Sequence, residues 1–318
     1  MSIKILHKGL ADSIQDIGRY GFQHLGIQPN GCMDLLSASL ANSILQNDIH
    51  TPVIELHFPS SQIQFLEDGI ICITGANFVP VLNEKSIALY KPILVKKNDV
   101  LSMLQPLEGS IAYVGIKAVY DSPKWLNSHS FNTAKLKTED VLPFSMHPSN
   151  PIAMKTLNEN LNHALIEQVH NNIFSNTNPI RILPGPAWQD VNENALYELI
   201  NTPFTISAQR NRMGYPLTGP KLNLNIPNAY LSSAVTRGTL QLLPSGDLIV
   251  LMADHQTTGG YPRIGTVIGA DMPSLAQMPI GSSFGIAWIS MEEAEALLLQ
   301  QETNLQQLEN ACKFRLQE

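Results

Sequence analysis

Three cysteines in 318 residues, Cys32, Cys72 and Cys312, are too few and too widely spaced for a disulfide framework or a Cys-type zinc site. That scarcity fits a reducing compartment. Charge is also sparse, at 15% of residues against 44% hydrophobic, which points to a large interior and to a buried interface with another chain. The formal net charge of −7 disfavours nucleic acid as a partner, because phosphate binding needs a basic surface. No run approaches the roughly 18 consecutive apolar residues of a membrane span. The opening Met1–His7 lacks the apolar core and cleavage pattern of a signal peptide, so a cytoplasmic location is expected. HExxH and C-x-x-C are missing, and the nine histidines are scattered; no metal site is expected.

What the chain has instead is short β-branched runs between turn signals. Ile70–Ile73, Ile93–Val95, Ile111–Val114 and Leu248–Leu251 are such runs, bounded by pairs such as Asp68-Gly69, Glu108-Gly109 and Ser245-Gly246. This pattern predicts a mainly β protein of sandwich or barrel type. Helices are expected at Met33–Asn47, where Met33, Leu36, Leu40 and Ile44 form one stripe, and over the tail Met291–Leu316. A length of 318 residues suggests about two domains. The Asn-, His- and Pro-rich stretch 146–179, with a short helix between Leu161 and Phe174, is read as a linker. That gives a first domain over 1–145, a second over 180–290 and a C-terminal helix over 291–318. A weak echo pairs Arg19–Phe22 with Arg212–Tyr215, and Thr74–Phe78 with Thr258–Tyr261. It reflects either two copies of one fold or chance.

Two motif matches fail on context. Gly281-Ser282-Ser283-Phe284-Gly285 fits G-x-S-x-G, but Trp288 and Ile289 lie in an expected strand where the nucleophile elbow needs a helix. Gly214–Lys221 grazes the P-loop, yet Pro220 separates the second glycine from Lys221 and removes an N–H.

The richest candidate for chemistry is the loop Asp254-His255-Gln256-Thr257-Thr258-Gly259-Gly260-Tyr261-Pro262. Its glycine pair lets the backbone approach a ligand, and consecutive N–H groups can cradle an anion or oxyanion. Asp254 is a candidate base, Gln256 an amide recogniser, and Thr257 and Thr258 donors. A hairpin loop with satisfied polar caps would read the same way. A second cluster, Ser207–Tyr215, holds Gln209 and Arg212 near Gly214; its arginines either bind a carboxylate bidentately or decorate a β-turn. A third, Gln15–Asp34, carries Asp16 and Arg19, and doubles as a loop entering the Met33 helix.

On Asp254–Pro262, Ala208–Pro220, Gln15–Asp34 and Leu183–Pro186, the sequence resembles the family containing the C subunit of bacterial 5-oxoprolinase and the carboxyltransferase region of urea carboxylase. The resemblance runs from about Gly9 to about Phe284. It implies two cyclophilin-like β-barrel domains and, as partners, the A and B subunits of 5-oxoprolinase. It also implies an ATP-dependent opening of 5-oxoproline to glutamate, with ATP as cofactor on this chain or a partner. From residue chemistry, the candidate catalytic residues are Asp254, Gln256 and Arg212, and the candidate substrate contacts are Arg19, Gln209, Thr257, Thr258, Gly259, Gly260 and Tyr261. Two alternatives accompany it: a biotin-dependent carboxyltransferase acting on urea or a similar amide, and a non-enzymatic regulator that binds a kinase inhibitor. The chain departs from the family pattern at His255, where Arg is usual, and at Pro216 and Thr218. It departs again at Leu126–Phe131, where a Gly-Ser-x-Ser-Thr run is expected.

Overall fold

The computed structural model describes residues 2–130, 135–145, 163–174, 179–225 and 230–314. They form two compact units: Met1–Arg19 with Asp34–Phe174 and Glu302–Glu318, and Tyr20–Met33 with Ser175–Gln301. The division differs from the one read in sequence. Tyr20–Met33 groups with the second unit, and the helix inside the expected linker groups with the first.

In the first unit a seven-stranded sheet contains β1 (Ser2–His7), β4 (Gln62–Phe65), β6 (Pro80–Leu82), β7 (Lys85–Ser86), β9 (Val100–Met103), β11 (Val119–Tyr120) and β12 (Val141–Ser145). A five-stranded sheet runs in the order β2 (Ser13–Gln15), β3 (Val53–His57), β10 (Glu108–Ile116), β5 (Gly69–Asn77), β8 (Ile93–Val95). The alternation in β5 explains the layers. Ile71 and Ile73 join Ile3, Ile5, Phe65 and Val114 in the core shared by the sheets. Ile70 and Cys72 face the other way, onto α1 (Leu35–Ile44). Residues two apart share a face, so a strand covered on both sides reads as a continuous apolar run.

The stripe Leu36, Leu40, Ile44 is buried, as its spacing predicts. Asp34 is the N-cap: its carboxylate accepts from Ser37 N–H at 3.0 Å and from Ser37 Oγ at 2.5 Å. The same cluster takes Ile166, Val169 and Ile173 from α2 (His163–Phe174), and Leu308 and Cys312 from the final helix. That burial is why α2 goes with the first unit.

The second unit is a sheet of eight strands: β21 (Ser283–Phe284), β14 (Phe204–Ile206), β15 (Gly214–Thr218), β18 (Leu248–Leu251), β17 (Thr239–Leu242), β20 (Arg263–Val267), β13 (Ile180–Pro184) and β22 (Ile286–Trp288). Its two edge strands, β21 and β22, are consecutive in sequence and separated by Gly285 alone, which makes the sheet a nearly closed barrel. Gly281–Gly285 is therefore a turn and a strand, with no helix behind Ser283. A pair outside the sheet, β16 (Ser233–Ala234) and β19 (Thr258–Gly259), carries the Gly-rich loop. The helices α3 (Glu193–Asn201), α4 (Met272–Gln277) and α5 (Met291–Phe314) complete the described fold. The first two are absent from the sequence reading.

The mainly β architecture and C-terminal helix match the expectation. The internal echo does not map onto matching local structure. Gly21 lies in a loop at φ 90° whereas Gly214 opens β15, and Thr74–Gly75 sit inside β5 whereas Thr258–Gly259 are a two-residue strand.

Candidate functional site

The second unit brings Arg212 and Asp254 together by strand register. β15 and β18 are antiparallel neighbours with Gly214 opposite Leu251. The chain entering β15 therefore runs beside the chain leaving β18. Met252 N–H donates to Met213 O at 3.0 Å, and Asp254 N–H donates to Arg212 O at 2.8 Å. A side chain at Gly214 would meet the tip of Ile249 at 2.8 Å and the Val250 carbonyl at 3.2 Å, so this crossing is tight.

Above that crossing, Arg212 Nε donates to Asp254 Oδ2 and Nη2 to Oδ1, both at 2.8 Å. Asn30 Nδ2 adds a third bond to Oδ1 at 2.7 Å, and Gln28 Nε2 donates to the Asp254 carbonyl at 2.8 Å. Arg212 Nη2 also reaches Gly31 O at 2.7 Å. Arg237 donates to the carbonyls of Cys32, at 3.0 Å, and Met33. Asn30 and Gly31, both at positive φ, turn this segment toward its partners. Asp254 is buried, and its lone pairs are largely taken by fixed donors. The sequence assigns it the role of base; the geometry makes it an anchor. Arg212, expected to grip a substrate carboxylate, spends one edge of its fork on Asp254.

His255 follows Asp254 in the loop. Its ring is buried, and Nδ1 lies 2.5 Å from Gln256 O. A carbonyl only accepts, so Nδ1 carries the hydrogen and Nε2 the lone pair. Burial holds the pKa of this imidazole below the ordinary histidine value, and the Arg237 cation adds to the lowering; the bond to Gln256 O and the Asp254 charge oppose it.

Gln256 is half-buried and donates through Nε2 to Gln241 Oε1 at 3.3 Å. Thr258 and Gly259 pair with Ala234 and Ser233, so part of the expected N–H cradle is spent on a strand ladder. Thr257 O accepts from Val235 N–H at 3.1 Å. Gly260 and Tyr261 are exposed at the turn. Gln209 is exposed, with its N–H bound to Ser207 Oγ at 3.2 Å.

Arg19 belongs to the first unit, where it is buried with its guanidinium 4.6 Å from the Trp125 ring centre. Beside it in sequence, Asp16 is the hub of another buried network. Its carboxylate accepts from Ser128 Oγ and Ser130 Oγ at 2.7 Å, Gly18 N–H at 2.8 Å and His129 N–H at 2.6 Å. The departure from the family pattern at 126–131 thus retains two serines that hold a carboxylate. The first unit also has a groove of about 620 Å³ lined by Leu6, Gln62, Val81, Asn83, Glu84, Val100, Ser102 and Leu104. Glu84 is its sole ionisable lining residue, and it carries no arrangement suited to catalysis.

Arg237 and Gln241 are the site residues that sequence reasoning missed. Asn30 and Gln28 fall inside its third cluster, Gln15–Asp34, without a role assigned to either; the Asn30-Gly31 pair is a turn signal that flags the first. No described cluster of His, Cys, Asp or Glu is built to hold a metal ion, and no described helix is long and apolar enough to cross a membrane.

The carboxyltransferase domain, subdomains A and B, matches residues 25–287. The chain belongs to this family. Within the carboxyltransferase-domain family it is 32% identical over 306 residues to the C subunit of 5-oxoprolinase from Haemophilus influenzae, and 30% identical over 315 residues to that of Escherichia coli. In both comparisons 96% of this chain and 97% of the relative are covered. It is also 29% identical over 337 residues to urea amidolyase of Saccharomyces cerevisiae, spanning 99% of this chain but 18% of that protein. The crystal structure of Kluyveromyces lactis urea amidolyase has the same fold over 96% of this chain and 20% of its own, with a TM-score of 0.83 at 23% identity.

Proposed function

We propose that this chain is one component of an ATP-dependent 5-oxoprolinase that opens the lactam ring of 5-oxoproline to glutamate, working with partners of the A and B kinds. The supporting observation is the end-to-end similarity to two proteins named as the C subunit of 5-oxoprolinase, which leaves almost nothing of either chain unmatched. A lactam is a poor electrophile. Transfer of a phosphoryl group from ATP to the ring carbonyl oxygen makes the carbon open to water. Water adds to that carbon, the protonated ring nitrogen leaves and breaks the C–N bond to give an acyl phosphate, and a second water hydrolyses the acyl phosphate; the balance is 5-oxoproline, ATP and two waters giving glutamate, ADP and phosphate.

In this reading Gln256 binds the ring amide and His255 Nε2 accepts the proton of the attacking water. Backbone N–H groups around Thr258–Gly260 face the developing oxyanion. Thr257, Tyr261 and Gln209 border the ligand. Asp254 and Arg212 hold the loop. ATP binds on this chain or on a partner.

The test is reconstitution with co-expressed partners. ATP hydrolysis that rises on addition of 5-oxoproline, with glutamate formed in step, is expected; ATPase indifferent to 5-oxoproline refutes the proposal. A second reading, biotin-dependent carboxyl transfer to urea or a related amide, draws on the family's carboxyltransferase name and the fold shared with urea amidolyase. It requires a biotinylated partner, and biotin on a co-purifying chain would favour it.

A further inference from the structure

Under the Gly-rich loop, Gln241 makes an unusual commitment. It lies in β17, where Leu240 and Leu242 point to the opposite face, and it is 1% exposed. Its Oε1 accepts from Gln256 Nε2 at 3.3 Å. Its own Nε2 is buried and has no hydrogen-bond partner. A buried amide donor left unsatisfied is costly, and such groups persist where something else requires them.

What the arrangement provides is direction. A carboxamide has one donor end and one acceptor end. With the Gln256 nitrogen turned onto Gln241 Oε1, the Gln256 oxygen is the end left for a ligand. No hydrogen bond to Gln256 Oε1 forms among the described residues. Gly259 closes the arrangement from above. A methyl group built on it would fall 2.4 Å from Gln241 Nε2, so the Gln241 amide packs directly against that backbone.

We propose that Gln241 is a positioning residue that fixes the polarity of Gln256, presenting its oxygen as an acceptor and so selecting ligands that offer an N–H, a cyclic amide over the matching lactone. The identity of the ligand rests on the 5-oxoprolinase reading; the orientation of Gln256 does not. Ligand selection follows because a site built around one hydrogen bond leaves its own group unpaired when the ligand lacks the match.

Two measurements separate these layers. In the isolated full chain, the side-chain amide signals of Gln256 are followed by NMR in wild type, Gln241→Met and Gln241→Glu. Methionine removes the acceptor at similar volume; glutamate keeps an acceptor and removes the orphan donor. The Gln256 amide protons are expected to be protected in wild type and Gln241→Glu and to exchange freely in Gln241→Met. Equal protection in all three overturns the proposal. If Gln241→Met does not fold, Gln241→Asn replaces it, withdrawing the acceptor by one methylene, with the same expected loss and the same overturning result.

In the reconstituted complex, Gln241→Met is expected to raise KM for 5-oxoproline by roughly tenfold with a smaller change in kcat. Inhibition by the lactone, whose ring oxygen replaces the N–H, is expected to stay unchanged. Unchanged discrimination between lactam and lactone overturns the selectivity claim. A Gln256 amide held by Gln241 in a complex that never consumes 5-oxoproline would instead refute the functional reading and leave the orientation standing.

Discussion

Arg212 holds both oxygens of Asp254 at once, Nε to Oδ2 and Nη2 to Oδ1, each at 2.8 Å, with side chains 14% and 6% exposed. The pair ties the entry of β15 to the exit of β18. Breaking one side leaves a buried charge. Arg212→Ala and Asp254→Ala are each expected to cost about 3–5 kcal/mol, whereas Arg212→Met with Asp254→Leu together recovers much of that. Chemical denaturation of the four proteins measures both the losses and the recovery. Single variants within about 1 kcal/mol of wild type would show the pair to be incidental.

Adjacent glycines in the loop are expected to behave differently. At Gly259 a methyl group meets Gln241 Nε2 at 2.4 Å and Val235 at 3.4 Å, whereas at Gly260 the nearest atom is Tyr230 O at 3.8 Å. Gly259→Ala should lower stability by about 1–3 kcal/mol, and Gly260→Ala should leave it within about 0.5 kcal/mol. Thermal unfolding of the two variants side by side decides the matter.

The pH prediction follows from His255. Burial holds its folded-state pKa below the unfolded value near 6.5, so the unfolded chain takes up the proton first. The stability this neutral ring contributes is complete above about pH 6.5 and declines as the pH falls below it. His129, also lowered by burial, acts in the same direction in the first unit. His255→Asn should flatten the pH dependence of the unfolding midpoint between about pH 7 and pH 5. An unaltered slope would place the acid sensitivity elsewhere.

Asp16 accepts four hydrogen bonds, two from serine hydroxyls. Ser128→Ala or Ser130→Ala should each cost about 1.5–3 kcal/mol, the range for bonds to a charged group. Asp16→Ala should cost more than either, since it orphans several donors together. Matching losses for all three would show that Asp16 is not the hub of the network.

Periodicity made much of this legible. The spacing of Leu36, Leu40 and Ile44 marked α1, and the β-branched runs marked β5, β8, β10 and β18. Helix α3 escaped because Ala195 and Leu199 alone form its buried stripe, too thin to stand out. The helix ending at Phe174 was legible, but not its burial, because a helical stripe does not name the surface it will cover. The loop at Asp254 and the arginine at 212 stood out by composition. Their roles depend on Asn30 and Gln28, 224 and 226 residues away in sequence, and no local pattern encodes that pairing. Gln241 left a trace, a polar residue alternating with Leu240 and Leu242.

Tyr20–Met33 has a consequence for how the chain is made. Synthesis delivers this strip before the first unit exists, yet its partners at Arg212, Arg237 and Asp254 emerge only after the intervening first-unit segment Asp34–Phe174. Closing a loop of this length is entropically slow. A fragment beginning at Ser175 would be born without the strip that braces its own loop.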